Sequence, residues 1–167
     1  MSKNQNQAEA SLIDIKPIIT AHDRLLPTGE ETVLTRILVV DNNNETTDLL
    51  KSIQESNSLE VISATSGTEG VEMTRSLKPD VVIIDLLISG VDGSQICGEI
   101  RKFSQVPILI LTAVNKPALV ARALDEGADD ILLKPMPSGV LLAQVRKLIR
   151  RSRANLLPSI HEVDILI

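Results

Sequence analysis

Four polar residues each close an apolar run, and together they could handle a phosphoryl group. Asp41 follows "ILVV" (37–40), Asp85 follows "VVII" (81–84), Thr112 follows "ILIL" (108–111) and Lys134 follows "ILL" (131–133). Carboxylate and carbonyl oxygens suit a hard divalent ion such as Mg2+, which keeps several waters and is readily shared with a phosphate. A carboxylate can also attack a phosphoryl group to give an aspartyl phosphate. An ammonium and a hydroxyl can hold the remaining phosphoryl oxygens, where charge develops during transfer. Taken singly, each residue has a purely structural explanation. Asp41 with Asn42 to Asn44 reads as turn and helix-cap chemistry, Asp85 as an Asx-turn, Thr112 as a β-former and Lys134 as a solvated charge before Pro135. It is their convergence on one rim of one sheet that favours the chemical reading.

That convergence depends on the elements between them. Runs that are apolar at consecutive positions and rich in Val and Ile suit strands covered on both faces, and a weaker run, "LEVIS", lies at 59–63. Helix-like stretches at about 45–56, 67–77, 92–103, 116–126 and 138–152 alternate with them; in the last, Val140, Leu141, Val145, Leu148 and Ile149 recur at helical spacing. Parallel strands need such crossovers, so the pattern predicts an α/β fold with a doubly wound, five-stranded parallel sheet in the flavodoxin-like order 2-1-3-4-5. Ligands of such sheets bind beyond the carboxyl ends of the strands, where the four residues fall. The first turn, "VVDNNNET", has no glycine-rich phosphate loop, which disfavours nucleotide binding.

Composition narrows the classes further. The 167 residues carry a net charge of −5, and Phe103 is the only aromatic, which argues against a nucleic-acid partner and against stacking platforms. The single cysteine, Cys97, excludes an internal disulfide and a cysteine-based zinc site and fits a reducing compartment. No apolar run approaches the roughly 18 residues of a membrane span, and the polar start "MSKNQNQAEASL" is unlike a signal peptide, so a soluble cytoplasmic chain without membrane contact is expected. Residues 1–34 read as a partly disordered extension, 35–152 as the folded domain, and 153–167 as a linker or the start of a further domain.

The motifs "ILVVDN", "PDVVIIDLLISGVDG", "VPILILTA" and "EGADDILLKPM", in this order, resemble the receiver domain of bacterial two-component response regulators, most closely those that precede a winged-helix DNA-binding domain. The resemblance implies that Asp85 accepts a phosphoryl group from a histidine kinase and that Thr112 and Lys134 attend it. It also implies a Mg2+ pocket formed by Asp41, Asn42, Asp85 and the backbone carbonyl of Leu87, and a cis Lys134–Pro135 bond. A receiver of this kind acts in signalling rather than as an enzyme, and without its output domain no DNA binding is expected of this chain. In the relatives a face built on the fourth helix, fifth strand and fifth helix forms a homodimer. Here Ala121, Leu124 and Leu142 would supply an apolar patch, Asp130 with Arg151 would keep one ion pair, and Val120 and Val140 stand where the relatives carry a charged pair, so this face should associate more readily.

Three positions depart from the family pattern. Asn42 stands where most relatives have a second acidic residue, which should weaken metal binding. Ile131 replaces the aromatic switch residue, so any switching would run through Thr112 and aliphatic repacking, and Ser89 replaces a loop proline. Asn42 and Ile131 keep open an alternative: a pseudo-receiver that works by binding or dimerisation without phosphorylation.

Overall fold

Alternation of side chains along the strands explains the architecture. In the computed structural model, which describes residues 33–88 and 91–156, the strands are β1 (Thr35–Val40), β2 (Leu59–Ala64), β3 (Val81–Asp85), β4 (Ile108–Thr112) and β5 (Asp130–Leu133). They form one parallel sheet in the order β2-β1-β3-β4-β5, which is the flavodoxin-like arrangement expected. Its helices are α1 (Glu45–Lys51), α2 (Gly67–Leu77), α3 (Gly93–Arg101), α4 (Pro117–Asp125) and α5 (Ser138–Leu156). A two-residue antiparallel pairing of Leu87–Ile88 with Val91–Asp92 tightens the loop after β3.

Because successive strand residues point to opposite faces, the sheet divides the core in two. Leu38, Val40, Val82, Ile84, Ile108 and Ile110 pack with Ile96, Cys97 and Ile100 of α3 and Ala123 of α4. Ile37, Val39, Val81, Ile83, Leu109 and Leu111 pack with Leu50 of α1 and with Leu141, Leu142, Val145, Leu148 and Ile149 of α5. Burial on both faces is why β1, β3 and β4 read as unbroken apolar runs. Cys97 is wholly buried, and that burial pushes its thiol up to about 12, so it is a core residue and not a nucleophile.

Two boundaries differ from the expected ones. The first helix, expected to reach 56, ends at Lys51. Ser52 Oγ donates to the Leu49 carbonyl at 2.6 Å and competes with the helical pattern, and a separate 3-10 turn covers Glu55–Asn57. The last helix runs to Leu156, four residues into the stretch read as a linker. Residues 1–32 of the expected extension, Ser89 in the loop after β3, and the tail from 157 lie outside the described residues. No described helix is long and apolar enough to cross a membrane.

Candidate functional site

Asp85 is the last residue of β3 and Thr112 the last of β4, while Asp41 and Lys134 directly follow β1 and β5. Parallel register brings these four ends to one rim. Lys134 N donates to the Thr112 carbonyl at 2.8 Å, which ties the last strand end to its neighbour. From there the Lys134 ammonium reaches across the sheet to Asp85 Oδ2 at 2.8 Å and Asp41 Oδ2 at 3.3 Å. The Asp41 side chain is 2 % exposed and that of Lys134 13 %, so this is a largely desolvated cluster of two carboxylates around one cation. The Lys134–Pro135 bond is cis, as the resemblance implied.

Each carboxylate is also fixed from below. Asp41 Oδ1 accepts from the Asn43 amide at 3.1 Å and its Oδ2 from the Thr46 hydroxyl at 3.3 Å; Asp85 Oδ1 accepts from the Leu87 amide at 2.9 Å. The structural explanations are thus satisfied alongside the clustering, since both aspartates close turns and still present an oxygen to Lys134. Burial works against the Lys134 ammonium, but the hydrogen bond and charge of Asp85, and then those of Asp41, outweigh it and hold the lysine above its usual range.

No group of three or more His, Cys, Asp or Glu side chains that could hold a metal occurs among the described residues. An ion here would therefore take two carboxylates and complete its shell with neutral oxygens and water. Two hard anionic oxygens held on one rim, with Asn42 following Asp41 in the chain and the Leu87 backbone hydrogen-bonded to Asp85, fit that donor chemistry, which is the preference of Mg2+ rather than of a softer metal.

Thr112 is not joined to the cluster. Buried at 1 % exposure, its hydroxyl donates to the Val114 carbonyl at 3.2 Å and accepts the Val114 amide at 3.0 Å, a local turn at the start of the β4–α4 loop. Leu87, whose carbonyl was assigned to the metal, has an exposed side chain at the mouth of the site. Ile131 packs half-buried against the α3–α4 side of the core. On the expected dimer face Leu124 and Val140 are exposed at 46 % and 48 %, Ala121 and Arg151 are exposed, and Val120 is half-buried. Leu142 is a correction: at 6 % exposure it faces the sheet with Leu141, because the apolar stripe of α5 is wide enough to bury both, and it cannot belong to a surface patch. Asp130 is held within its own chain by Lys147 at 3.1 Å and by Gln144. Burial opposes its charge, yet the Ile131 amide, Lys147 and Gln144 keep its carboxyl below the usual range.

Sequence reasoning passed over two residues at the site. Thr46 was legible as a hydroxyl in the first turn of the helix that follows Asp41, the place from which it can reach back. Gly93 carried no such signal. A Cβ there would lie 2.5 Å from the Asp85 carbonyl oxygen and 3.1 Å from Leu86 Cα, so the start of α3 presses directly on the backbone of β3. A cleft of about 420 Å3 opens beside Lys134, lined also by Glu45, Thr46, Leu49, Ala113, Pro135 and Met136.

Comparison with known proteins agrees with the fold. Residues 37–146 match the family model of the response regulator receiver domain. The chain is 40 % identical over 91 residues to the transcriptional regulatory protein AfsQ1 of Streptomyces coelicolor, covering 54 % of this chain and 40 % of that one. It is 36 % identical over 133 residues to the DNA-binding response regulator MtrA of Mycobacterium leprae, covering 78 % and 59 %. The chain thus spans about half the length of these relatives. A two-component response regulator from Clostridium difficile superposes with a TM-score of 0.66 at 30 % identity, over 71 % of this chain and 98 % of that one. The BeF3-activated receiver domain of Klebsiella pneumoniae RstA superposes with a TM-score of 0.64 at 30 % identity, over 70 % and 99 %. A flavodoxin-like sheet with two aspartates and a lysine gathered on its carboxyl rim, matched by the family model across nearly the whole sheet, makes this chain a member of the response-regulator receiver-domain family.

Proposed function

We propose that the domain receives a phosphoryl group on Asp85 from a histidine kinase and passes the signal on by self-association, in a regulator whose output acts on transcription. The observation that carries this reading is the Lys134 ammonium shared between Asp85 and Asp41 at the open end of the sheet. Asp85 is the better placed of the two carboxylates for attack, because its side chain is 16 % exposed against 2 % for Asp41. An Asp85 oxygen attacks phosphorus, the phosphorus–nitrogen bond to the kinase histidine breaks, and the new acyl phosphate keeps Lys134 as its counter-ion. Thr112 must give up its two hydrogen bonds with Val114 before its hydroxyl can turn to the phosphoryl group. Asp41, Asn42, Asp85 and the Leu87 carbonyl are the groups that would hold Mg2+, which when bound neutralises charge on the phosphoryl oxygens.

The test is labelling with a small phosphodonor in the presence of Mg2+. Wild-type protein should acquire an acid-labile, hydroxylamine-sensitive label, and Asp85→Asn should lose it while keeping its thermal transition. Labelling that persists at another residue removes Asp85 from this role. The second reading, a binding module that works without phosphorylation, is favoured by Asn42, by Ile131 and by the engagement of Thr112 with Val114; it predicts no label on the wild-type protein either.

A further inference from the structure

The helix α4 is weakly seated. Ala123 is its only buried residue, with Leu119 and Val120 half-buried, so little apolar contact holds it to the sheet. Polar contacts fasten it to α3 instead. In the connection between α4 and β5, Arg101 of α3 donates to the Gly127 carbonyl at 2.9 Å and pairs with Asp129 at 2.9 Å. Within α4, Arg122 pairs with Asp92 at 3.2 Å.

Asp92 is not an ordinary surface acid. Its Oδ1 accepts the Ser94 amide at 2.9 Å as the N-cap of α3, and its side chain is only 17 % exposed. The next residue, Gly93, donates to the Leu86 carbonyl at 2.8 Å and sits against the Asp85 carbonyl without room for a Cβ. Asp85, Gly93, Asp92 and Arg122 thus form one unbroken run of direct contacts from the end of β3 to α4.

We infer that the Asp92–Arg122 pair is a latch that holds α4 to the acceptor loop and makes the order of α4 respond to what occupies Asp85. The signalling half rests on the assignment of Asp85 as acceptor; the latch itself does not. α4 carries Leu124, exposed, on the face assigned to self-association, so releasing or tightening the latch alters that face with no aromatic switch at position 131.

Hydrogen exchange on the full chain tests it, with and without beryllofluoride and Mg2+, in Asp92→Asn, Arg122→Gln and the double variant. Asparagine retains the cap oxygen, so α3 should stay folded. Without ligand, α4 amides should exchange about two- to fivefold faster in each single variant, as for a part-exposed ion pair, and the double variant should be no faster than either single one. Exchange in α2 should not change. With beryllofluoride, wild-type α4 rates should shift severalfold and the variants should lose more than half of that shift. Unaltered α4 exchange in both single variants, or a full ligand response in them, overturns the latch. Fluorine NMR reads beryllofluoride binding separately. Failure of the wild type to bind it removes the acceptor assignment and the signalling half, while the ligand-free rates still decide whether the pair latches α4.

Discussion

Lys134 is where the electrostatics of the site concentrate, because one ammonium answers two carboxylates of which Asp41 is almost wholly buried. Removing it leaves an uncompensated buried charge, and Lys134→Met should cost about 3 kcal/mol in urea denaturation at neutral pH. Its pKa is raised on folding, so its contribution is complete below the unfolded lysine value of about 10.4 and is lost as pH rises through the higher folded value. The stability gap between wild type and variant should stay level from about pH 6 to 9 and close only in alkali; a gap that closes below pH 9 would contradict the geometry. Asn42 belongs to the same balance. Asn42→Asp restores a charge to the proposed metal set and should tighten Mg2+ binding about tenfold or more, near 1.4 kcal/mol, while lowering the stability of the metal-free protein by repulsion among carboxylates. Equal affinity by calorimetry would mean that position 42 does not face the ion.

Among the elements, the junction of β3 and α3 is the most constrained. Gly93→Ala drives a methyl into the Asp85 carbonyl and should destabilise the domain by about 1–3 kcal/mol. Gly139→Ala, in α5 where nothing lies within 4 Å, should be neutral or stabilising by up to about 1 kcal/mol. Paired thermal melts separate the two; equal effects would show that the close approach at Gly93 relaxes without cost. The strands were legible because burial on both faces writes them as consecutive apolar residues, and their ends named Asp41, Asp85, Thr112 and Lys134 directly. What the sequence did not disclose depends on three-dimensional approach. The press of Gly93 on Asp85, the pairing of Arg122 with Asp92 and the Val114 turn around Thr112 have no periodicity to announce them. Leu142 misled for a different reason: adjacent leucines on a helix can share one wide buried face, and only packing shows how wide it is.

For the whole molecule, the proposed homodimer rests on exposed Leu124 and Val140, with Val120 and Ala121 beside them. Contacts among Leu124, Val140 and the already half-buried Val120 are apolar and are not screened by ions, whereas a rim ion pair adds only about 0.2–1 kcal/mol, so association should depend little on salt. Asp130 is already satisfied by Lys147 and Gln144, which leaves Arg151 a smaller part than the sequence suggested. Sedimentation at two salt concentrations should show a micromolar dimer that Val120→Glu disrupts. A monomer throughout, or a dimer indifferent to the substitution, rules this surface out. The divided core has a different consequence, for descent. Ile37 and Val39 belong to the core shared with α1 and α5, whereas Leu38 and Val40 belong to the opposite core, where Gly70 of α2 lies against Val40, although all four are neighbours on one strand. A lineage can therefore revise every second letter of a strand and repack one flank while the other is inherited intact, so that the two halves of the interior are free to diverge at separate rates.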